Sequence, residues 1–153
     1  MHNRILNWSH IDWQRFQQIT LYLAQEAYKN LRFEEFLKQG NKQDGIDLIS
    51  TTQQEKYIAI QCKHTKTLII TDLDKIEQEF IDGKFAKKAT LFILSTTSDL
   101  QNEKLQNHLL VQKDRLKDSY GVTYEIWDRN YLSTQLKSHY TIVTSFFWQT
   151  SSR

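Results

Sequence analysis

The chain has 153 residues, 39% hydrophobic and 25% charged, with a formal net charge of +2. That length favours one domain with a sizeable core, and the composition is ordinary for a globular protein. The mild charge does not by itself announce nucleic acid, and the chain lacks an apolar run long enough for a membrane helix. The first residues, MHNRILNWSHIDW, lack the apolar stretch of a signal peptide, so a cytoplasmic protein is expected. Residues 11–31 read as a long amphipathic helix, with Asp12 in its first turn and Ile11, Phe16, Ile19, Leu23, Ala24 and Ala27 forming its apolar stripe. Leu31 to Leu37 reads as a first, partly exposed strand or the end of that helix, with Glu34 and Glu35 as solvated acids.

Gln43-Asp44-Gly45 is a turn that leads into the most informative stretch. Ile46 to Ser50 is a short apolar strand apart from Asp47, and Thr51 to Glu55 is a polar turn. Lys56 to Lys63 alternates with period two, the strand signature. Ile58, Ile60 and Cys62 therefore share one face, and Tyr57, Ala59, Gln61 and Lys63 the other. The lone Cys62 excludes an internal disulfide, suits a reducing compartment and reads as a small buried hydrophobe. With no CxxC or histidine cluster, zinc is not expected. Hairpin pairing brings Asp47 beside Gln61 and Lys63: a carboxylate, an amide oxygen and an ammonium able to hold a hard divalent cation and a phosphate together.

Downstream, a helix capped by Thr71 or Asp72 runs to about Asp82, where Gly83 stops it. Ala89 to Thr97 is almost continuously apolar, the mark of a strand buried on both faces. Its end, Ser95 to Ser98, is rich in hydroxyls that either meet a phosphate backbone or cap the next helix. A polar helix over Leu100 to Asp118, a strand over Val122 to Trp127 and a short helix over Tyr131 to Leu136 follow, then an apolar segment from Tyr140 to Trp148. Basic residues cluster at Lys63 to Lys66, Lys84 to Lys88 and Lys113 to Lys117, each either a solvated face or a phosphate contact. Helix, hairpin, helix, strand, helix, strand is a three-layer α/β order.

Asp47 followed by Gln61-Cys62-Lys63 resembles the D…(D/E/Q)xK signature of the PD-(D/E)xK nucleases. QDGIDL with IAIQCK resembles, more narrowly, the Mrr-like restriction endonuclease branch, where glutamine often replaces the second acid. The helix opening at Asp72-Leu73-Asp74-Lys75-Ile76, the strand ATLFILSTT and the segment YEIWDRNYLSTQL agree, so the likeness covers residues 11–148. It implies a restriction-endonuclease-like fold, a central mixed sheet flanked by helices, in a single domain over residues 1–153.

The activity so implied is metal-dependent DNA cleavage with low sequence specificity. Asp47, Gln61 and the carbonyl of Cys62 would hold Mg²⁺ or Mn²⁺, and Lys63 would serve the attacking water or the phosphoryl charge. Gln17 stands where the branch often carries a helix glutamate: a fourth catalytic position or a surface glutamine. Gln43, His64 and Lys66 are the candidate nucleic-acid contacts. Similar domains open prokaryotic antiviral proteins, which implies an effector module that oligomerises through a fused or partner sensor or NTPase region. The competing readings are a nuclease fold that only grips nucleic acid, and an RNase.

Overall fold

The computed structural model describes residues 6–36, 45–52 and 54–147. A single 3-10 turn, Trp8–His10, precedes helix α1, Trp13–Ala27. The helix starts two residues later than its apolar pattern suggests because Asp12 takes the capping position, its Oδ1 accepting from the Arg15 N–H at 2.8 Å. Ile11 is buried all the same, from outside the helix.

Strand β1 is reduced to Glu34–Glu35, and β2 (Leu48–Thr51) and β3 (Tyr57–Lys63) form the expected hairpin. Then come α2 (Ile70–Asp82), a 3-10 turn over Lys84–Lys87, β4 (Ala89–Thr96), α3 (Glu103–Tyr120), β5 (Thr123–Trp127), α4 (Arg129–Leu136) and α5 (Tyr140–Phe146). Among the described residues the strands make one mixed sheet, ordered β1-β2-β3-β4-β5, antiparallel across β1–β2–β3 and parallel across β3–β4–β5. Parallel neighbours need a crossover, which α2 and α3 provide.

Alternation along β3 sorts the core into two layers. Ala59 faces Leu73, Ile76 and Phe80 of α2 and Leu109 and Leu116 of α3. Ile58 and Ile60 face Phe16, Ile19 and Leu23 of α1, with Leu132, Leu136 and Val143 of α4 and α5. This is the three-layer α/β architecture, with a sheet buried on both faces. No helix among the described residues is long and apolar enough to cross a membrane.

A polar clamp joins the two crossover helices. Glu77 of α2, only 6% exposed, accepts from Arg115 Nε at 2.8 Å and Nη2 at 2.7 Å, and buried Gln112 donates to the Leu73 carbonyl at 3.1 Å. Arg115→Ala strands the Glu77 carboxylate with little compensation. It is expected to cost about 2 kcal/mol in urea unfolding, less than for a wholly buried pair because the guanidinium is half exposed.

Candidate active site

Asp47 sits where the chain enters β2. Its backbone is held on both sides: its N–H donates to the Ile60 carbonyl at 2.8 Å, and its carbonyl accepts from the Phe36 N–H at 2.8 Å. Its side chain is turned onto β3, where Oδ2 accepts from the Cys62 N–H at 2.7 Å. A hydrogen bond from a backbone N–H to a carboxylate fixes the orientation of the group.

The carboxylate opens on a cleft of about 190 Å³ between the end of β3 and α1. Asp47, Cys62, Lys63 and His64 line the strand side, and Trp13, Phe16 and Gln17 the helix side. Lys63 is the last residue of β3, so it reaches the cleft from the end of the sheet. Gln17 is also bonded outward, its Nε2 donating to Glu35 Oε2 on the edge strand at 3.3 Å.

Gln61 lies apart from that cleft lining. Its side chain is buried below the turn at Gly45, whose φ is +68°. A Cβ there would stand 3.1 Å from Gln61 Nε2 and 3.1 Å from Glu79 Oε1, a fit that glycine permits and a larger residue would strain. Gln61 Oε1 is buried with no hydrogen-bond partner among the described residues. Gln43 lies outside the described residues.

A second, larger cavity of about 780 Å³ continues from the first, sharing His64. Lys66, Arg129, Thr65 and Thr97 line it at the ends of the parallel strands, with Trp8 behind them. His64 thus belongs to both cavities, and Lys66 to the outer one. The hydroxyls of Ser95 to Ser98 turn inward instead of facing a phosphate. Ser95 bonds Thr20 at 2.8 Å, Thr97 bonds the Thr65 N–H and carbonyl at 2.9 Å each, Thr96 accepts from the Ser98 N–H, and Ser98 accepts from the Leu68 N–H. They brace the loop carrying His64 to Lys66.

The other basic runs lie on the α2–α3 side, with Lys84 over the Phe36 and Phe85 rings and Arg115 tied to Glu77. The link from Gln17 to Glu35 was hidden in the sequence, because a strand of two residues has no periodicity to read.

A family model described as restriction endonuclease, of the Mrr catalytic type, matches residues 20–120, about two thirds of the chain. The chain belongs to that family. It is therefore a nuclease domain with a restriction-endonuclease-like fold, and DNA is the substrate its family implies. The matched region contains Asp47, Gln61 and Lys63 and leaves Gln17 and Arg129 outside. No curated protein matches the chain.

Divalent metal ions are typical of restriction endonucleases, and the donors here suit a hard one. Asp47 offers a carboxylate at the cleft, and Gln61 Oε1, outside the cleft lining, is a buried acceptor with no hydrogen-bond partner among the described residues. Both are oxygen ligands of the kind Mg²⁺ and Mn²⁺ take. Among the described residues no three His, Cys, Asp or Glu side chains converge as a cluster that could hold a metal ion.

Proposed function

We propose that the chain is a metal-dependent DNA endonuclease that uses Mg²⁺ or Mn²⁺ and reads little sequence. The observation that carries this is the meeting of Asp47 and Lys63 in one cleft, with the Asp47 side chain fixed by the Cys62 N–H. Asp47 and the Cys62 carbonyl would hold the ion at the cleft, with Gln61 as a further ligand on the strength of the resemblance alone, since its side chain lies outside the cleft lining. The ion supplies Lewis-acid neutralisation of the phosphoryl group when bound. Lys63 brings a positive charge to the strand end, where it orients the attacking water or stabilises the charge that develops on the phosphate oxygens. Gln17 forms the helix wall beside them. His64 and Lys66 lie along the outer cavity with Arg129, a basic path for the phosphates that flank the cut. Gln43 completes the proposed contacts, on the strength of the resemblance alone.

The same resemblance supports a cytoplasmic effector of a prokaryotic antiviral system, in which residues 1–153 form the single nuclease domain of a larger protein. A fused or partner sensor or NTPase would then bring copies together.

The test is conversion of supercoiled plasmid to the nicked form at high protein concentration. Nicking is expected with Mg²⁺ or Mn²⁺ and is lost on adding EDTA. With one carboxylate among the described residues of the cleft lining, the ion should be needed at about millimolar concentration. Nicking undiminished by EDTA would refute the metal requirement. Cleavage confined to an RNA substrate would move the assignment to an RNase. An amide at position 17 favours one rival, a nuclease fold that only binds DNA, and retained DNA binding without nicking in either metal would establish it.

A further inference from the structure

We propose that Glu35, held by Gln17, supplies a second negative charge to the ion site, and that Gln17 is the residue that positions it. The inference rests on the metal-dependent reading of the Asp47 cleft.

Three observations converge on Glu35. The first is register: β1 places Glu35 directly opposite Leu48, the residue after Asp47, and the Phe36 N–H donates to the Asp47 carbonyl. Directly opposed residues share a face. Leu48 belongs to the α1-side layer, so Glu35 lies on the side of the sheet where the cleft opens.

The second is the hydrogen bond from Gln17 Nε2 to Glu35 Oε2. Gln17 itself lines the cleft with Asp47 and Lys63, so its amide joins the cleft wall to the edge-strand carboxylate. An amide adds no charge of its own, but its N–H₂ can hold a carboxylate in place. The other Glu35 oxygen accepts no hydrogen bond among the described residues.

The third is charge. Among the described residues Asp47 is the sole carboxylate lining the cleft, where Lys63 and His64 also stand. The affinity of an oxygen site for a divalent ion rises with the number of charged ligands. A second acid one residue from Asp47 in register therefore changes what the cleft can hold. As a surface contact alone, the exposed Gln17–Glu35 bond would contribute little to folding.

The test is Mn²⁺ binding by the purified chain, followed by the EPR signal of free ion, with circular dichroism confirming the fold of each variant. Glu35→Gln keeps the size of the side chain and removes the charge; it is expected to weaken Mn²⁺ binding about tenfold. The double variant Gln17→Glu/Glu35→Gln moves the acid onto the helix wall and should bring the affinity back to within about threefold of the parent. Glu26→Gln, on the opposite side of α1, should leave it unchanged. Equal affinity in Glu35→Gln and the parent overturns the proposal, as does an equal loss in Glu26→Gln, which would mean that only overall charge matters. Asp47→Asn separates the two readings. If it binds Mn²⁺ like the parent, the cleft is not the ion site and both fall; if it loses binding while Glu35→Gln keeps it, the cleft stands and the role of Glu35 fails.

Discussion

Lys63→Ala is expected to lower the rate of DNA cleavage by about 10²- to 10⁴-fold, the range for losing a positioned proton-transfer or charge-stabilising group. The size of the effect follows from where the lysine stands. It is the last residue of β3 and shares a cleft with Asp47, whose side chain the neighbouring Cys62 N–H holds in place. The ammonium adds nothing to the donors for a cation, so Mn²⁺ affinity should stay the same or rise slightly. Single-turnover cleavage alongside a metal titration separates these effects. A fall in metal affinity equal to the fall in rate would place Lys63 in support of the ion and not of the reaction. Lys63 is partly exposed at a strand end, so the fold should tolerate its removal.

Phe92→Ala should produce the largest loss of stability, about 3–5 kcal/mol. Phe92 is fully buried at the middle of β4 and is stacked on both sides. The Phe80 ring lies 4.2 Å away at 10°, and the Tyr124 ring 5.1 Å away at 6°. The stack ties α2, β4 and β5 together, so truncation leaves a cavity that three elements would have to close. Tyr124 adds to the difficulty, because burial already pushes its phenol far above the ordinary range and its hydroxyl has no hydrogen-bond partner among the described residues. Against a typical total of about 5–15 kcal/mol, the loss threatens the folded state itself. Phe92→Leu, which keeps most of the volume, should cost under about 2 kcal/mol. Urea denaturation of the two variants measures both, and equal midpoints for parent and Phe92→Ala would refute this account of the core.

The sheet was legible wherever hydrophobic patterning is dense. Alternation from Tyr57 to Lys63 assigns Ile58 and Ile60 to one layer and Ala59 to the other, and the structure packs them so. The apolar run of β4 is buried over almost its whole length. Patterning misled at the start of α1, because Ile11 is apolar for packing reasons while Asp12 makes the cap. It left Leu31 to Leu37 open between a strand and the end of α1, because β1 owes its two residues of pairing to β2 and has no period of its own.

The candidate site was legible in part. Asp47, Lys63, Gln17, Cys62 and His64 do meet, since the hairpin and α1 converge at one end of β3. The course of Gln61 below Gly45 depends on a positive φ and on the approach of Glu79, and a sequence pattern records neither. Likewise Ser95 to Ser98 look like phosphate ligands in the sequence, yet their hydroxyls are taken up by Thr20, Thr65, Leu68 and one another.

The most direct test of the central claim is plasmid nicking by the parent chain and Asp47→Asn, side by side in Mn²⁺, with DNA binding followed on the same samples. Asparagine keeps an oxygen that can accept from the Cys62 N–H, so the variant loses the charge and little of the local structure. Nicking is expected from the parent, none above background from the variant, and unimpaired DNA binding from both. Equal nicking by the two proteins would contradict the claim.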